Sequence, residues 1–417
     1  MKFYITILFF FILSFGVAQP YTLSQLEASF VKENYLLLAA RFDVGKAEAE
    51  IVQEKVWENP SLAVSEVNLW TNGGSETLPS LFGQYGKTQQ ISVELEQLIE
   101  TAGKRKKRVA IKRLEHRLAV YEFEELVREL RKELRQHFHH LTSLKYSQSQ
   151  LIDMVKLFVQ LEKQYQRQTQ QENVSKADHN RVRNELLRMQ KDLTELEADA
   201  ESSLSTLRVL TGIADLEIEK LLVEESFVSR TLLLPKDMTS LIIEQNIGIK
   251  KQSTAMEMAK QQLELEKAQR TPDLTLQLGY DRGGNIMQDF IGLGIQMDLP
   301  VFNKNKGNIQ KAKQQVDQEN ITYTALQWKL EQTVQRYKNQ LLKYENVLNQ
   351  WLSEATEGEQ ASMVESYRKH LENRQVTLME FMDYVQSHRE ARQSFLELWE
   401  NYNNTFEELQ YLIGKDF

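Results

Sequence analysis

The chain has no cysteine, few prolines and few glycines, and each scarcity removes a class of structure. Without cysteine there are no disulfides, thiolate metal sites, cysteine nucleophiles or lipid attachments through an N-terminal cysteine. Only six prolines occur in 417 residues, and 80–234 and 301–417 contain none. Long proline-free stretches rich in Glu, Lys, Gln, Leu and Arg favour long helices over a compact α/β fold.

The chain also lacks an excess of positive charge. Its formal net charge is −8, whereas binding nucleic acid requires a basic face that neutralises phosphates. No clustered acid–base set, glycine-rich phosphate loop or metal-ligand constellation is evident. We therefore predict neither a nucleic-acid partner nor an enzyme, and we expect no cofactor.

The first 18 residues are typical of a secretory signal peptide. Lys2 precedes an apolar run, and Gly16-Val17-Ala18 places small residues before a cut ahead of Gln19. The run is shorter than the roughly 20 apolar residues of a membrane-spanning helix, although an uncleaved anchor is the alternative. Nothing after residue 18 looks like a transmembrane helix.

The rest of the chain contains the same unit twice. Asn59-Pro60 recurs as Thr271-Pro272 at a sequence offset of 212, and Leu210-Thr211-Gly212 recurs as Leu412-Ile413-Gly414 at an offset of 202. One local difference in length between these landmarks explains the two offsets. The duplication predicts a first repeat over 19–212, a linker over 213–235 and a second repeat over 236–417.

Each repeat begins with a helix and ends with a long helical hairpin. The first helices are predicted over 22–57 and 236–269, and each stops before a proline pair. Very long helical stretches follow over 101–172 and 304–373. Short breaks at 171–175 and 372–377 lead into return helices that end at Gly212 and Gly414, which suit helix C-caps. Such long helices must bundle with one another.

Two strand-like segments of about ten residues stand between the helices of each repeat. They alternate apolar and polar residues, with a predicted bulge in the first, and their spacing predicts two hairpins. This pattern matches the wall of a transmembrane β-barrel. Because four strands cannot close a barrel in lipid, several copies must pool strands, and an open pore favours three or more. The alternative is a soluble coiled-coil protein with a small β-subdomain.

Several marks in this order resemble the TolC-type outer-membrane efflux channels over nearly the whole mature chain. They are Asn59-Pro60, Gly103-Lys104, the stretch Leu299–Gly307, the tips Val174–Asp178 and Val376–Asp383, and the endings at Gly212 and Gly414. The stretch Asn303–Gly307 is most similar to the branch that works with metal-cation pumps of the resistance-nodulation-division type.

The resemblance implies a mainly α fold with a small membrane β-barrel part. Three chains would share a twelve-stranded barrel, four strands from each, and long antiparallel helical hairpins would form an α-barrel in the periplasm. Such a homotrimer lies in the outer membrane of a Gram-negative bacterium. It is the passive exit channel of a tripartite efflux pump, beside a periplasmic adaptor (membrane fusion protein) and an inner-membrane transporter.

Acidic residues at the two tips are the candidate gate. The resemblance places Asp178, Glu380 and Asp383 at the periplasmic constriction, where three copies of each would attract cations. Neighbouring arginines are candidate ion-pair partners: Arg181, Arg183 and Arg374. The alternative is that acidic residues near a helix start complement the helix dipole.

The first long helix begins with five cationic residues, and the helix dipole disfavours positive charge at that end. We predict that this run and two lysines of the second repeat contact lipid headgroups of the outer membrane. These residues are Lys104, Arg105, Lys106, Lys107, Arg108, Lys304 and Lys306. A solvated charged face is the alternative.

Two other residue groups can be interpreted either as functional or as ordinary structural residues. His137 and His140 share a helix face while His139 points elsewhere, so at most two metal ligands converge and no metal site is predicted. Aromatic residues near the outer strand ends are typical of a membrane-interface girdle, with ordinary hairpin packing as the alternative. They are Trp70, Phe82, Tyr85, Tyr280 and Phe290.

Two other functions remain open. One is the exit duct of a type I protein secretion system, because substrate choice resides largely in the inner-membrane pump. The other is a periplasmic coiled-coil adaptor or scaffold. An adaptor should have one helical hairpin flanked by many short strands, whereas this chain has two helical hairpins and four strands.

Overall fold

The computed structural model describes residues 20–68, 90–223, 228–282, 289–354 and 357–417. Several predicted features lie outside these ranges, namely the predicted signal peptide, most of both predicted strand connections, Trp70, Phe82 and Tyr85. Within the described ranges the helices are α1 (Leu23–Glu33), α2 (Tyr35–Lys55), α3 (Lys104–Gln170), α4 (Lys176–Thr211), α5 (Met238–Gln245), α6 (Ile247–Ala268), α7 (Lys306–Glu354), α8 (Glu357–Glu372) and α9 (Leu378–Ile413). The strands are β1 (Ser61–Asn68), β2 (Gln90–Ile99), β3 (Leu274–Arg282) and β4 (Asp289–Gln296). None of the described helices has the length and apolar character needed to cross a membrane.

The first helix of each repeat is broken, where the sequence predicted one continuous helix. The breaks fall at Asn34 and Asn246, which are equivalent positions of the two repeats. The Asn34 side chain accepts the N–H of Leu37 at 3.0 Å, and the Asn246 side chain accepts the N–H of Ile249 at 2.9 Å. An Asn side chain that binds the backbone in this way favours a helix start over a helix interior. The predictions over 22–57 and 236–269 were therefore wrong in their continuity.

The four strands form one antiparallel sheet in the order β1-β2-β3-β4. The predicted bulge is confirmed, because the register of β1 shifts between Ser65 and Asn68 and Glu66 has a φ of 50°. The two hairpins share one register. Ala63 pairs with Glu94, and the 212 and 202 offsets convert this pair into the observed Thr275 with Gln296. The duplication therefore extends to individual cross-strand pairs.

The chain forms two compact units, and each takes segments from both repeats. One comprises residues up to Leu38, Leu126–Ile242 and Glu331–Phe417, and it contains the helix tips. The other comprises Ala39–Glu125 and Ile243–Leu330, and it contains the sheet.

Candidate functional site

Both helical hairpins turn through the same backbone motif at their tips. Glu172 and Arg374, at equivalent positions of the two repeats, have left-handed φ values of 58° and 56°. In each turn the next residue donates its N–H to the carbonyl five positions earlier, Asn173 to Gln168 at 2.9 Å and Gln375 to His370 at 2.8 Å. This is the Schellman arrangement, in which the left-handed position is most often glycine.

Two of the three predicted gate carboxylates take part in capping the return helices. Ser175 Oγ accepts the N–H of Asp178 at 3.0 Å and donates to Asp178 Oδ2 at 2.7 Å. At the other tip, Thr377 Oγ1 accepts the N–H of Glu380 at 3.2 Å, and Glu380 Oε2 accepts the N–H of Thr377 at 2.7 Å. The backbone N–H and the hydroxyl of Thr377 both donate to Glu380 Oε2, and these two hydrogen bonds lower the pKa of Glu380. Both carboxylates therefore have a structural role at a helix start, which was the alternative to the gate. Glu380 is nevertheless exposed to solvent.

The remaining predicted gate residues are exposed. Asp383 lies at the surface of α9, and the described residues give it no hydrogen bond or ion pair. Arg181 Nη1 lies 2.9 Å from Asp178 Oδ1, so this predicted pair forms within one helix turn. Arg183 and Arg374 are also exposed, without an ion pair in the described part of the chain. The gate assignment stays a prediction, because nothing in a single chain tests it.

Apolar packing holds the two tips together beneath these charges. One buried cluster draws on α3, α4, α8 and α9. At its centre Phe158 and Phe381 are fully buried and stack with ring centroids 6.1 Å apart. His179 Nε2, which the sequence did not single out, lies 2.9 Å from Glu162 Oε1 and links α4 to α3. The two hairpins therefore pack as one body at the tips.

Two cations of the basic run at the start of α3 are compensated by carboxylates from other parts of the chain. The Lys104 side chain is 4% exposed, and its Nζ lies 2.8 Å from Asp273 Oδ2. Arg108 binds both Glu100 and Glu54 at 2.5 Å. The helix dipole disfavours cations at a helix N-terminus. These ion pairs compensate for that unfavourable interaction.

The other basic residues divide into engaged and exposed ones. The Arg105 guanidinium lies 3.7 Å from the ring centre of Trp57, and Lys107 Nζ donates to the carbonyl of Ala102 at 2.9 Å. The exposed ones have no ion pair among the described residues, and they are Lys106, Lys304 and Lys306. Contact with lipid headgroups stays a prediction for the whole set.

His139 and His140 have separate environments. His139 is buried, 3.5 Å from Glu407 Oε1, and burial lowers its pKa. His140 places Nδ1 3.0 Å from Glu400 and Nε2 3.0 Å from Asp199. Hydrogen bonds and charge from these carboxylates raise the pKa of His140. Across the described ranges no group of three or more His, Asp or Glu side chains is arranged to hold a metal ion.

Sequence reasoning missed a partly buried charge network centred on Arg135. Its guanidinium lies 2.5 Å from Glu27 Oε1 and 2.9 Å from Glu407 Oε2. Burial alone would raise the pKa of Glu407, but the hydrogen bond from His139 and the charge of Arg135 outweigh it, and the pKa is lowered. No spacing rule could find this network, because both carboxylates are more than a hundred residues from Arg135.

A second buried carboxylate anchors the predicted linker. Glu345 accepts hydrogen bonds from Ser229 Oγ at 2.5 Å, Thr231 Oγ1 at 2.6 Å and Tyr402 Oη at 2.5 Å. Burial by itself would raise the pKa of Glu345, but these hydroxyl donors lower it. The linker is therefore held against α7 and α9.

The sheet has one apolar face and one polar face. The register places four leucines in a row across the strands, Leu62, Leu95, Leu278 and Leu293. All four are exposed, Leu293 at 87%. The opposite face carries Glu94 and Glu96 beside glycines of β3 and β4. An apolar sheet face of this kind requires lipid or another chain to cover it.

Of the predicted aromatic girdle, Tyr280 and Phe290 lie within the described residues. Tyr280 is on the apolar face in the row of Val93 and Ile291. Phe290 pairs with Asp281 and is on the polar face. These two residues therefore do not share one membrane-facing band.

Comparison with known proteins shows what this arrangement is similar to. No protein-family model matches the chain. Among characterised proteins, a segment of 77 residues is 31% identical to the cobalt-zinc-cadmium resistance protein CzcC of Cupriavidus metallidurans and covers 18% of each chain.

Solved structures match over nearly the full length. The outer-membrane channel CmeC of Campylobacter jejuni superposes with a TM-score of 0.73 at 16% identity, covering 94% of this chain and 85% of CmeC. CusC, described as forming a transmembrane channel, gives 0.71 at 15% identity over 94% and 92%. VceC, an outer-membrane protein of Vibrio cholerae, gives 0.68 at 14% identity over 95% and 96%.

Proposed function

We propose that this chain, which has the fold of the TolC-type outer-membrane efflux channels, is itself the outer-membrane exit channel of a tripartite efflux pump. The observation that carries the proposal is that one chain combines a four-stranded sheet with an exposed apolar face and two long helical hairpins. The channel conducts passively and requires no catalytic residue. Its expected partners are a periplasmic adaptor and an inner-membrane transporter of the resistance-nodulation-division type.

The sheet supports assembly as a trimer. β1 and β4 are its edge strands, and an open edge is not tolerated in lipid. Because each chain contributes an even number of strands, β4 of one copy meets β1 of the next in antiparallel orientation. Three copies give twelve strands, with the leucine rows facing lipid and the polar face lining the lumen.

Cations are the substrate class that the tips favour. Asp178, Glu380 and Asp383 bring three carboxylates per chain to one end of the helical hairpins, and rings of carboxylates select cations in other channels. The local likeness to a cobalt-zinc-cadmium resistance protein supports heavy-metal cations among the solutes. Accumulation of zinc in cells with and without the channel, with its pump present, tests this finer proposal.

Planar-bilayer recording of the purified protein tests the channel itself. We expect discrete conductance steps in a cation-selective pore. A heat-denatured sample of the same preparation is the control for detergent leakage. A protein that never inserts into bilayers and is recovered without detergent would instead be a periplasmic scaffold.

A further inference from the structure

Strand β4 is shorter than its equivalent in the first repeat. β2 runs from Gln90 to Ile99, and the 202-residue offset places the equivalent stretch at 292–301. β4 ends at Gln296, so residues 297–301 lie outside any strand. Leu299 and Val301 in this stretch are 69% and 63% exposed. The residues that follow β4 therefore lack the strand pairing that their equivalents at the end of β2 make.

Strand neighbours explain the difference. The last residues of β2 pair only with β3, because pairing with β1 ends at Glu96 whereas pairing with β3 continues to Ile99. Among the described strands, β4 has no neighbour on its outer side. β4 is the equivalent of β2, which lies between β1 and β3. The duplication therefore predicts that the equivalent of β3, which is β1, lies on the outer side of β4. Since β1 of the same chain occupies the opposite edge of the sheet, a second copy must supply it.

We propose that β1 of a second copy pairs with residues 298–301 in a register defined by the β2–β3 pairing of the single chain. This proposal rests on the proposed channel assembly. Moving β2 positions up by 202 and β3 positions down by 212 converts Ile99 with Leu274 into Val301 with Leu62. The same shift converts the next observed pairs into Pro300 with Ala63, Leu299 with Val64 and Asp298 with Ser65.

This register keeps both faces of the sheet continuous across the seam. Val301 and Leu299 fall opposite Leu62 and Val64, which belong to the apolar face. Asp298 falls opposite Ser65, on the polar face. A slip of one residue would bring the apolar face of one copy against the polar face of the other. In the single chain the Val301 N–H closes a tight turn onto the carbonyl of Leu299 at 2.8 Å, and pairing with the second copy would open this turn.

The adjoining helix start differs between the two seams. Within the chain, Lys104 is buried against Asp273, which also accepts the N–H of Thr101 at 2.8 Å. The equivalent residues at the seam between copies are Lys306 and Ser61, and both are exposed in the single chain. Because serine carries no charge, the seam between copies lacks the ion pair that closes the seam within the chain. It is therefore the weaker of the two junctions.

Cysteine cross-linking tests the register, and the absence of native cysteine removes any background. Opposed residues have Cα atoms roughly 4.5–5.5 Å apart, within the roughly 4.4–6.8 Å that a disulfide spans, whereas the Cα atoms of diagonal residues are about 7–8 Å apart. The in-register variant carries Val301→Cys with Leu62→Cys, and the shifted control carries Val301→Cys with Val64→Cys. A second in-register variant carries Asp298→Cys with Ser65→Cys. Hydrogen-bonded and non-hydrogen-bonded residue pairs alternate along antiparallel strands, so this pair is of the opposite type to Val301 with Leu62.

After mild oxidation in detergent, we expect covalent dimers and trimers from both in-register variants, at least tenfold above the shifted control. Equal or greater yield from the shifted control, in protein that sediments as a trimer, would overturn the register and leave the channel proposal intact. Protein that is never trimeric would overturn both proposals.

A gain-of-function variant tests the weak junction. Ser61→Asp supplies the carboxylate that Asp273 provides within the chain, so we expect the trimer to resist SDS to a higher temperature. Ser61→Asn is the uncharged control, and Lys306→Met should abolish the gain. No gain, or a gain that survives Lys306→Met, would contradict the equivalence of the two seams.

Discussion

Asp178 and Glu380 show that one carboxylate can stabilise a helix and still present its charge to water. Each accepts a hydrogen bond at the N-terminus of a return helix, Asp178 from the hydroxyl of Ser175 and Glu380 from the backbone N–H of Thr377. Helix capping requires the side-chain oxygen but not its full charge, because serine and asparagine cap helices as well. Charge and capping are therefore separable by substitution with the amide.

The acidic gate predicts a change in ion selectivity. We expect Asp178→Asn, Glu380→Gln and Asp383→Asn together to lower the cation-to-anion permeability ratio several-fold, because three charges per chain leave the constriction. The measurement is the reversal potential of the bilayer channel in a KCl gradient. Glu48→Gln with Asp317→Asn, at exposed sites away from the tips, should have a smaller effect. An unchanged reversal potential in the triple variant would reject the acidic constriction.

His140 predicts a pH-dependent contribution to stability. Only the imidazolium can donate to Glu400 and Asp199 at once, and its pKa is raised by these carboxylates. A raised pKa in the folded state means that this stabilisation is complete below about pH 6.5 and is lost as pH rises through the folded pKa. We therefore expect His140→Gln to destabilise the protein more at about pH 6 than at about pH 8.5.

Denaturant midpoints of both proteins at the two pH values measure this difference. His116→Gln is the control, since the described residues give His116 no ion pair. Equal destabilisation at both pH values would mean that His140 acts only through packing.

At the scale of elements, both tips use a turn that is strained for their residues. Glu172 and Arg374 occupy left-handed positions with φ of 58° and 56°. A residue with a Cβ pays roughly 1–2 kcal/mol in this conformation, and glycine does not. The same choice at equivalent positions of both repeats gives each hairpin tip one strained turn.

Glycine at these turns should stabilise the tips. We expect Glu172→Gly and Arg374→Gly each to raise the free energy of unfolding by about 0.5–1 kcal/mol, since the strain exceeds the entropic penalty of glycine. Thermal unfolding measures the change. Asn173→Gly, one residue beyond the left-handed position, is the matched control and should lower stability. A loss of stability in all three variants would show that the turns are not strained.

At the scale of the whole molecule, the two compact units cut across the two sequence repeats. The strands of both repeats share one sheet, and the hairpins of both repeats share one buried cluster at the tips. Each repeat leaves apolar surface that it cannot bury by itself, which is the usual reason that repeats associate. The exposed leucine row of the sheet extends this reasoning beyond the single chain.

Sedimentation of detergent-extracted protein measures how many chains associate. We expect a protein mass of three chains and a requirement for detergent, because the apolar sheet face must be covered. The same protein without detergent, which should aggregate, is the control. A monomer or dimer that remains in solution without detergent would mean that the strands never enter lipid.

The sequence by itself determined the duplication, the number of the strands, the long helices and the tips. These depend on local signals, namely the proline pairs, the glycine caps and alternating polarity, which act over a few residues. It also supplied the two offsets that relate the hairpin registers. It failed at Asn34 and Asn246, where a side chain competing for the backbone breaks a helix whose apolar pattern continues.

Only the tertiary structure decided which distant residues meet. The partner of Lys104 is 169 residues away, and one partner of Arg135 is 272 residues away. Pairing of β2 with β3 likewise joins different repeats, and it provides the template for the seam between copies. Ion pairs and strand edges depend on which surfaces the fold brings together, and no spacing along the chain encodes that. Chain length separates these groups, and packing of the two repeats against each other brings them into contact.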